Sequence, residues 1–578
     1  MNRQREVISG TVRLAVWCDG DPTAPPVLLV HGYPDASQVW DAVADVLATE
    51  FLVIRYDVRG AGQSSAPAEA RGYRLEQLSQ DLVAVMDAVS PDRPVHLVGH
   101  DWGSIQTWES VTDPALQARI ASFTSLSGPC LDHMGYWLRD KLRQPSPAHL
   151  LALVRQLIRS WYVMLFHLPG TGLVWKLGLA RLWPRLLRVT EGIDAPKRPS
   201  QSSDGWNGVA LYRANFLRCL LLPRERTAVA PVQLVIAEKD AYVSAGIFDG
   251  LARWVPELYV KRVRGGHWLP LKRPALVAQL IAEFIRAREK PDGTPSRLAR
   301  VEGPLREFSG RQVLVTGAAS GIGRATALAF AEQGANLILA DLNLDGAERT
   351  AVLARLHGVC AWACRVDVGD GAAMRTFADG VEDAFGLPDI IINNAGIGMA
   401  GGLLHTSEQD WERILRVNLW GLIHGIRLFG ERMVNAGNGG HIVNVASAAA
   451  FTPSRTFPAY ATTKAAALML SECARAEFSR FDIGVSAVCP GFVDTGIALS
   501  THYTGVNADE QQRRRERAAK LYQRRGFTPE KVAQAIVHAV RRNRPLALVG
   551  VEAQGARWLS RFMPWAARLF ARIDFSPN

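Results

Sequence analysis

Two strand–turn–helix motifs, one in each half of the chain, constrain the fold more than any other feature. The first is VHLVGHDWGS at 95–104, and the second is VLVTGAASGIG at 313–323. Short β-branched runs alternate with longer helical patterns around both motifs, which is typical of parallel sheets covered by helices. At 578 residues the chain is also too long for one hydrophobic core. We therefore expect two α/β domains.

A polar segment rich in Pro and Gly, KPDGTPS, lies between the two motifs. This composition is typical of a linker. We place a first domain at 1–288, the linker at 289–308 and a second domain at 309–578. Because the halves share no motif, the chain is predicted to be a fusion and not a duplication. Within the first domain, 133–230 is rich in Leu, Trp and Arg and lacks a strand pattern, which predicts a helical cap over the carboxyl ends of the strands.

The composition excludes several classes of protein. Apolar residues make up 48% and charged residues 21% of the chain, which excludes large-scale disorder. The seven cysteines lack the spacing of metal ligands, so we expect no metal and a reduced, cytoplasmic setting. We find neither a secretory signal pattern nor a run of about 18 uncharged apolar residues, so no membrane span is expected.

The net charge of +11 indicates an anionic neighbour. No nucleic-acid-binding fold accompanies the basic cluster at 513–520, so we do not expect nucleic acid. Near the C-terminus, apolar and basic side chains share one segment that Pro564 must break. This segment fits either a peripheral contact with the inner face of the cell membrane or a helix packed on the core or on a partner subunit. Its residues are Trp558, Leu559, Phe562, Leu569, Phe570 and Ile573, with Arg557, Arg561, Arg568 and Arg572.

The first motif places an aspartate on a tight strand-to-helix turn. Gly99 and Gly103 flank Asp101 in the pattern small–x–nucleophile–x–small, which lifts the central side chain into a cleft. A carboxylate can attack a saturated carbon and form an alkyl ester, which water then hydrolyses. Serine-type esterase chemistry is therefore disfavoured, and Ser104 lies beyond the turn.

Other segments supply the partners that such a nucleophile needs. Asp240 follows the strand 233–236, and His267 comes later in a Gly-Gly-His-Trp turn. The chain order nucleophile, acid, histidine is that of α/β-hydrolases, so we expect His267 to activate water and Asp240 to orient it. The backbone amides of Tyr33 and Trp102 are the expected oxyanion hole.

These motifs (HGYP, GHDWG, AEKD and GGHW) resemble those of the epoxide hydrolases of the α/β-hydrolase superfamily. The resemblance implies that two cap tyrosines hold the epoxide oxygen, and Tyr162 and Tyr212 match those positions, although Leu211 replaces a tryptophan that often precedes the second. Two phenol donors would stabilise the alkoxide released when Asp101 opens the epoxide. A haloalkane dehalogenase, which shares Asp-Trp at the turn but needs Trp or Asn N–H donors for a halide, remains the alternative.

The glycine turn of the second motif predicts a nucleotide site. Its glycines let backbone amides approach a pyrophosphate, and the N-terminus of a helix predicted to begin at Arg324 favours the negative charge. Asp341 ends the next strand at the spacing for a ribose 2′-hydroxyl, where a carboxylate repels a 2′-phosphate. We therefore expect NAD in preference to NADP.

A second set of residues carries the chemistry of this domain. Tyr460 and Lys464 lie four residues apart, on one face of a helix. We expect the ammonium to lower the pKa of the phenol so that Tyr460 acts as acid and base near neutral pH. Ser447 follows the strand 442–445, in a position to hold a substrate oxygen.

The residues from 309 to 550 resemble the short-chain dehydrogenase/reductase family, on the motifs above and on NNAG (393–396), Asn418, Asp367-Val368 and PGFVDT (490–495). The resemblance implies a Rossmann-type fold, oligomers formed through this domain, and hydride transfer to or from a secondary alcohol or ketone. It also implies that Asp367 contacts adenine, that Asn418 supports a proton relay and that Lys464 holds the nicotinamide ribose. The full set of expected cofactor contacts is Gly317, Ser320, Gly321, Ile322, Gly323, Asp341, Asp367, Val368, Asn394, Tyr460, Lys464 and Thr495.

The fusion as a whole resembles an actinobacterial family that joins an epoxide hydrolase to a short-chain dehydrogenase. The resemblance implies lipid-like epoxides and alcohols of the mycolic type as substrates. The two reactions form a chain, because hydrolysis of an epoxide gives a vicinal diol that a dehydrogenase can oxidise. A different possibility is that one domain is only a binding or scaffolding module, although neither domain lacks a catalytic side chain of its pattern.

Overall fold

The computed structural model describes residues 3–195, 197–289, 300–301 and 303–573. The chain forms two compact units, which meet in sequence between Arg306 and Glu307. Most of the predicted linker, 290–299 and position 302, lies outside the described residues. Each unit is described by itself below.

The first unit is built on one eight-stranded sheet. Its spatial order is β1-β2-β4-β3-β5-β6-β7-β8. The first two strands pair antiparallel, and β3 to β8 are parallel. The strands are β1 (Arg3–Ser9), β2 (Val12–Asp19), β3 (Pro26–Val30), β4 (Leu52–Tyr56), β5 (Val95–His100), β6 (Ile120–Leu126), β7 (Val232–Ala237) and β8 (Leu258–Val263).

Helices cover both faces of this sheet because its central strands are apolar on both sides. Along β3, Leu28 and Val30 enter one buried cluster while Val27 and Leu29 enter the other. Successive side chains of a strand point to opposite faces, so a run without polar residues requires cover on each side. The covering helices are α1 (Asp41–Leu47), α2 (Leu75–Val89), α3 (Trp102–Val111), α9 (Leu269–Lys272) and α10 (Pro274–Glu289).

The segment between β6 and β7 is helical, as the sequence predicts for the cap. It lies beyond the carboxyl end of β6 and returns to the sheet at β7. Its members are α4 (Leu131–Arg143), α5 (Pro147–Arg159), α6 (Trp161–His167), a π-helical turn (Trp175–Leu179), α7 (Ala180–Glu191) and α8 (Gln201–Leu221).

The second unit contains a seven-stranded parallel sheet in the order β11-β10-β9-β12-β14-β15-β17. The strand order reverses between β9 and β12, and this is the position at which doubly wound sheets bind ligands. A pair of two-residue strands, β13 and β16, lies outside it. The strands are β9 (Gln312–Thr316), β10 (Asn336–Asp341), β11 (Ala361–Arg365), β12 (Ile390–Asn393), β13 (Met399–Ala400), β14 (Gly440–Val445), β15 (Ile483–Pro490), β16 (His502–Tyr503) and β17 (Leu546–Val549).

Two apolar layers enclose this second sheet as well. Val313 and Val315 of β9 enter one buried cluster, and Leu314 between them enters the other. The helices are α11 (Gly321–Glu332), α12 (Leu344–Arg355), α13 (Gly371–Phe385), α14 (Glu408–Leu415), α15 (Gly421–Ala436), α16 (Pro458–Phe478), α17 (Ile497–Ser500), α18 (Ala508–Arg525), α19 (Pro529–Arg542), α20 (Val551–Phe562) and α21 (Pro564–Phe570). The predicted fold class, an α/β-hydrolase fold followed by a Rossmann-type fold, is confirmed.

Helix α11 begins earlier than predicted, whereas the predicted helix break at Pro564 is confirmed. Helix α11 begins at Gly321, three residues before the predicted start at Arg324. Glycines are tolerated there because the first amides of a helix make no intrahelical hydrogen bonds. The predicted break at Pro564 is present, since α20 ends at Phe562 and α21 begins at Pro564.

Candidate active sites

The strained turn predicted for the first unit lies between β5 and α3. Asp101 has φ 52° and ψ −123°, a backbone conformation that side chains rarely adopt. A Cβ atom on Gly103 would overlap the carbonyl oxygen of Val30, so the close packing of α3 on β3 requires glycine there. The Ser104 hydroxyl donates to the carbonyl of Gly128 at 2.7 Å, which fits its exclusion as a nucleophile.

His267 lies between two carboxylates that come from different strands. Its Nδ1 atom is 2.9 Å from Oδ2 of Asp240, and its Nε2 atom is 3.5 Å from Oδ1 of Asp101. The backbone amides of Tyr242 and Val243 donate to the other oxygen of Asp240, at 2.7 and 2.9 Å. All three members of the predicted triad are buried. The arrangement orients His267 for proton transfer on the side of Asp101.

Burial and charge act in opposite directions on this triad. Burial alone would lower the pKa of His267, but the charges and hydrogen bonds of Asp240 and Asp101 outweigh burial and raise that pKa well above its usual range. Burial likewise opposes the ionisation of Asp240, yet the charge of His267 and the two amides lower the pKa of this carboxyl. The favoured state is therefore a histidinium held by two carboxylates.

Tyr33 provides one of the two predicted oxyanion donors. Its backbone N–H donates to Oδ2 of Asp101 at 2.8 Å. Trp102 is the first residue of α3, so its backbone N–H has no carbonyl partner within that helix. The Tyr33 side chain is fixed by the cap, because its hydroxyl accepts from the Trp175 indole at 2.7 Å and donates to the carbonyl of Gly205 at 3.1 Å.

The two predicted cap tyrosines contact each other, and Tyr212 also contacts two residues beside the nucleophile, Tyr33 and Trp102. Tyr162 on α6 and Tyr212 on α8 have ring centroids 5.9 Å apart, and their hydroxyls share a hydrogen bond. Burial, and next the charges of nearby groups including Asp101, raise the pKa of both phenols. Both side chains therefore stay protonated, and each carries one O–H group that can donate a hydrogen bond. Tyr212 also packs edge-on against Trp102, with ring centroids 4.8 Å apart.

Sequence reasoning missed Glu191, a buried carboxylate at the end of α7. Its Oε1 atom accepts from the backbone amide of His267 at 3.2 Å, and a Cβ on Gly266 would overlap its carboxylate. This hydrogen bond thus links the cap to the turn that carries His267. No local motif marks it, because its partner lies 76 residues away.

The nucleotide cleft of the second unit lies at the end of β9. Gly317 has φ 67°, and a Cβ on Gly323 would overlap the Gly317 carbonyl oxygen. The turn can therefore bring backbone amides close to a phosphate at the N-terminus of α11. Across the cleft, Thr495 lies beside Gly321, since a Cβ built on that glycine would be 3.2 Å from the Thr495 Cβ. Ser320 precedes the helix in extended conformation, and Ile322 and Gly323 follow in its first turn.

Asp341 ends β10 directly beside this turn. One carboxylate oxygen accepts from the backbone amide of Ala319 at 2.9 Å, and the other accepts from that of Asn343 at 2.9 Å. Asn394 closes the turn from β12, with its side-chain amide donating to the carbonyl of Thr316 at 3.0 Å. These contacts fix a carboxylate at the edge of the cleft where a ribose would lie.

Asp367 and Val368 follow β11 at the same end of the sheet. Asp367 accepts from the backbone amide of Gly369 at 2.9 Å and from Arg416 at 3.2 Å. Val368 is buried and would contact a Cβ on Gly421. Hydrogen bonds hold Asp367 in place and packing holds Val368 in place, so the two residues form a rigid side of the nucleotide cleft.

Ser447, Tyr460 and Lys464 come together at the carboxyl end of the sheet. Ser447 hydrogen-bonds to Tyr460, and the ammonium of Lys464 donates to the carbonyl of Val445 at 2.9 Å. Burial lowers the pKa of Lys464 to about 8. The prediction that Lys464 lowers the pKa of Tyr460 is wrong in this structure. Burial raises the pKa of Tyr460, only Ser447 opposes this, and the Lys464 ammonium is 5.8 Å from the ring centre.

Asn418 lies in a π-helical turn (Arg416–Trp420) next to this triad. Its side-chain oxygen accepts from the amide of Ile397 at 2.8 Å, and its side-chain nitrogen donates to the Ile397 carbonyl at 3.0 Å. The same nitrogen is 3.3 Å from the Thr463 hydroxyl. A Cβ built on Gly396 would be 3.3 Å from the Asn418 oxygen and 3.5 Å from the Lys464 nitrogen, so the two side chains lie close together.

Tyr522 is a further residue that sequence reasoning missed. It lies on α18, packs on Phe492 with ring centroids 5.5 Å apart, and its ionisation is opposed by Tyr460. Tyr522 and Tyr460 therefore lie near enough for their charges to interact. The charged composition of α18 is typical of a solvated helix face, and it did not single out Tyr522.

Among the described residues, no group of three or more His, Cys, Asp or Glu side chains is placed to hold a metal ion. Within the same ranges, every helix is too short or too polar to cross a bilayer.

Comparisons with known proteins match both units. Residues 25–274 match the alpha/beta hydrolase fold, and residues 311–503 match the short chain dehydrogenase family. The protein named "Probable oxidoreductase EphD" of Mycobacterium tuberculosis is 38% identical over 97% of this chain and 97% of its own length. The C alpha-dehydrogenase of Sphingobium sp. is 32% identical, over 41% of this chain and 80% of its own. A short chain dehydrogenase/reductase from Burkholderia phymatum, solved in complex with NAD, is 30% identical, with a TM-score of 0.40 over 47% of this chain and 98% of its own.

The similarity to EphD covers 97% of this chain and therefore includes both units. The chain therefore belongs to the EphD family, as a fusion of an α/β-hydrolase fold with a short-chain dehydrogenase.

Proposed function

We propose that the first unit hydrolyses an epoxide to a vicinal diol through an alkyl ester on Asp101. The observation that supports this most directly is the contact between two protonated phenols, Tyr162 and Tyr212, the second of which packs on Trp102, the residue that follows the nucleophile. An epoxide needs a nucleophile on one side and proton donors for its oxygen on the other. The cleft offers both.

The first step forms the ester. The Tyr33 amide holds Oδ2 of Asp101, which leaves Oδ1 to attack an epoxide carbon. The carbon–oxygen bond of the ring breaks, and the alkoxide takes a proton from one of the two tyrosines. The product of this step is a hydroxyalkyl ester of Asp101 and a tyrosinate, which regains its proton from solvent or from His267.

The second step hydrolyses that ester. Esterification removes the charge of Asp101, which is one of the interactions that raise the pKa of His267. The imidazole then loses its proton more easily and can take a proton from water. The hydroxide formed attacks the ester carbonyl, and the amides of Tyr33 and Trp102 hold the oxyanion. The bond between the carbonyl carbon and the alkoxy oxygen then breaks, the leaving alkoxide takes the proton from His267 to give the diol, and the carboxyl group of Asp101 loses its proton to solvent.

The dehalogenase alternative fits the cleft less well. That reaction needs indole or amide N–H groups directed at a halide. Here the Trp102 side chain hydrogen-bonds to Tyr212, and the Trp175 indole donates to the hydroxyl of Tyr33. Both indole donors near the nucleophile thus already have phenol partners.

Turnover of styrene oxide by the double variant Tyr162→Phe, Tyr212→Phe tests this proposal. We expect kcat/KM to fall about 10³-fold or more, because each lost oxyanion donor costs about 10²-fold or more. Tyr259→Phe is the matched control, since Tyr259 lies on β8 and contacts Phe284 instead of the cleft. Unchanged turnover in the double variant, or release of halide from haloalkanes by the wild-type protein, would overturn the epoxide assignment.

For the second unit we propose the NAD-dependent interconversion of a secondary alcohol and a ketone. Ser447 holds the substrate oxygen, and Tyr460 gives a proton to it or takes one from it. Lys464 lies one helical turn from Tyr460 and is held by the backbone of β14, and the nearby Asn418 is held by the backbone of Ile397. The residues around the glycine turn fit a dinucleotide, and the bound nicotinamide would supply or accept the hydride.

The two reactions form a sequence in this proposal. The diol from the first unit carries a secondary alcohol, which the second unit would oxidise to an α-hydroxyketone while NAD is reduced. NADH formation from a panel of vicinal diols, compared with the Tyr460→Phe variant, tests this step. Wild-type rates no higher than those of the variant would contradict it. We also propose, from the family resemblance, that the second unit mediates oligomers, and sedimentation of the whole chain would test that.

A further inference from the structure

The cap of the first unit combines positive charge with unusual apolar exposure. Residues 141–190 contain eight Lys and Arg residues and no Asp or Glu. Sixteen large apolar side chains in this segment are exposed, and Leu177 and Val189 are exposed by 82% and 83%. Contiguous apolar surface of this kind on a folded protein marks a binding face. Its partner must accept apolar side chains and carry negative charge.

The apolar side chains of α5 and α6 follow a helical period. Leu150, Val154, Leu157, Trp161 and Met164 are spaced by four and three residues, and all are exposed. Within α5 the spacing places Leu150, Val154 and Leu157 along one face, and Trp161 and Met164 lie one turn apart on α6, beyond the non-helical Ser160. These five side chains make up the apolar stripe of the cap. Helix α6 also carries a phenol of the proposed epoxide site, so the stripe borders the cleft.

Helix α7 also combines exposed apolar side chains with positive charge. Its exposed side chains are Leu182, Leu186 and Val189, together with Arg181, Arg185 and Arg188. Arg188 pairs with Asp194, an exposed residue beyond the end of the helix. Arginine stems can lie along apolar surface while their guanidinium groups reach phosphate, which is the pattern of helices that lie in a membrane interface.

We propose that this cap surface, 141–190, docks the protein on an anionic lipid bilayer. The apolar stripe inserts at the boundary between headgroups and acyl chains, and the arginines of α7 pair with lipid phosphates. Charge complementarity selects the partner: a nucleic acid would satisfy the arginines but leave the apolar stripe in water, and a second copy of this surface would bring like charges together. The proposal does not depend on the reaction that Asp101 performs.

Flotation of the whole chain with vesicles tests this docking. We expect binding to vesicles of phosphatidylcholine mixed with phosphatidylglycerol and much weaker binding to phosphatidylcholine alone. The triple variant Arg181→Gln, Arg185→Gln, Arg188→Gln should bind anionic vesicles roughly 100-fold more weakly, because each cation near an anionic surface contributes about fivefold. Leu157→Gln with Trp161→Gln should weaken binding to a similar extent.

Matched controls separate the cap from the rest of the chain. Removal of three exposed charges on α18, by Arg517→Gln, Lys520→Gln and Arg524→Gln, should leave vesicle binding unchanged. Binding that survives the cap variants but is lost in Trp558→Gln with Phe562→Gln would overturn the proposal in favour of the C-terminal segment.

Two further outcomes also decide against it. Wild-type protein that does not float with anionic vesicles contradicts the proposal, and a concentration-dependent dimer abolished by the cap variants would assign the surface to a second copy. Asp101→Asn should bind vesicles like the wild type, and the arginine variant should retain turnover of a water-soluble epoxide. A failure of docking is thereby distinguished from a failure of the proposed chemistry.

Discussion

The Nε2 atom of His267 lies 3.5 Å from Oδ1 of Asp101, so the base and the nucleophile of the proposed hydrolysis are in direct electrostatic contact. This contact links the protonation of one residue to the chemical state of the other. A charged Asp101 keeps His267 protonated, and an esterified Asp101 releases that proton more easily.

Replacement of the base should separate the two steps. In His267→Gln, Asp101 can still attack an epoxide, but no group removes the proton from water. We expect the alkyl ester to accumulate, visible as a mass increase of the intact protein equal to one epoxide, while turnover falls about 10³-fold or more. Asp101→Asn is the control and should show no adduct. Steady turnover without an adduct in His267→Gln would contradict the assignment of the base.

Removal of the charge on Asp101 should change the titration of His267. We expect the imidazole of Asp101→Asn to titrate at a lower pH than in the wild type, as measured by NMR, because one of two nearby negative charges is lost. Asp45→Asn removes an exposed carboxylate of α1 and should leave the titration unchanged. An unchanged His267 in Asp101→Asn would mean that Asp240 alone raises its pKa.

The same linkage predicts how stability depends on pH. The pKa of His267 is raised on folding, so its ion pairs stabilise the fold fully below the ordinary histidine pKa. This contribution is lost as the pH rises through the raised pKa. Asp240→Asn should therefore lower the free energy of unfolding more at pH 6 than at pH 9, as measured by urea denaturation. An equal loss at both pH values would exclude this ionic contribution.

We expect Lys464 to lower the stability of the fold while it supports alcohol oxidation. Burial lowers its pKa to about 8, so its charge opposes folding at neutral pH. We expect Lys464→Met to raise the free energy of unfolding by about 1 to 3 kcal/mol at pH 7 and to abolish alcohol oxidation. Since the lysine becomes neutral as the pH rises above about 8, the gain should shrink at higher pH. Lys520→Met, at an exposed position on α18, is the control; a destabilised Lys464→Met would show that the hydrogen bond to Val445 outweighs the cost of burial.

Asp341 should decide the choice of dinucleotide. Its carboxylate is fixed by the amides of Ala319 and Asn343 at the place where a ribose 2′-hydroxyl would lie. Asp341→Ser removes the charge that repels a 2′-phosphate, so the ratio of kcat/KM for NAD to that for NADP should fall about tenfold or more. Asp345→Ser, an exposed position in the first turn of α12, should leave the ratio unchanged. A wild-type preference for NADP would overturn the assignment of NAD.

Local sequence patterns determined the two folds and most of the catalytic candidates. The turn around Asp101 and the turn from Gly317 to Gly323 can be recognised in the sequence. Strained backbone and close packing allow only certain residue types there, at fixed spacing. The Tyr460–Lys464 spacing likewise follows from the period of a helix. Such constraints act between neighbours in the chain, so the sequence alone reveals them.

Only the tertiary structure decided the electrostatics and the long-range contacts. Glu191 accepts a hydrogen bond from the amide of His267, 76 positions away, and Tyr522 comes near Tyr460 from a helix whose charged composition did not single it out. The wrong expectation for the pKa of Tyr460 has the same origin. The spacing placed Lys464 on the correct face, but burial and the distance between the charged groups set the sign of the shift, and both arise only when the chain has folded.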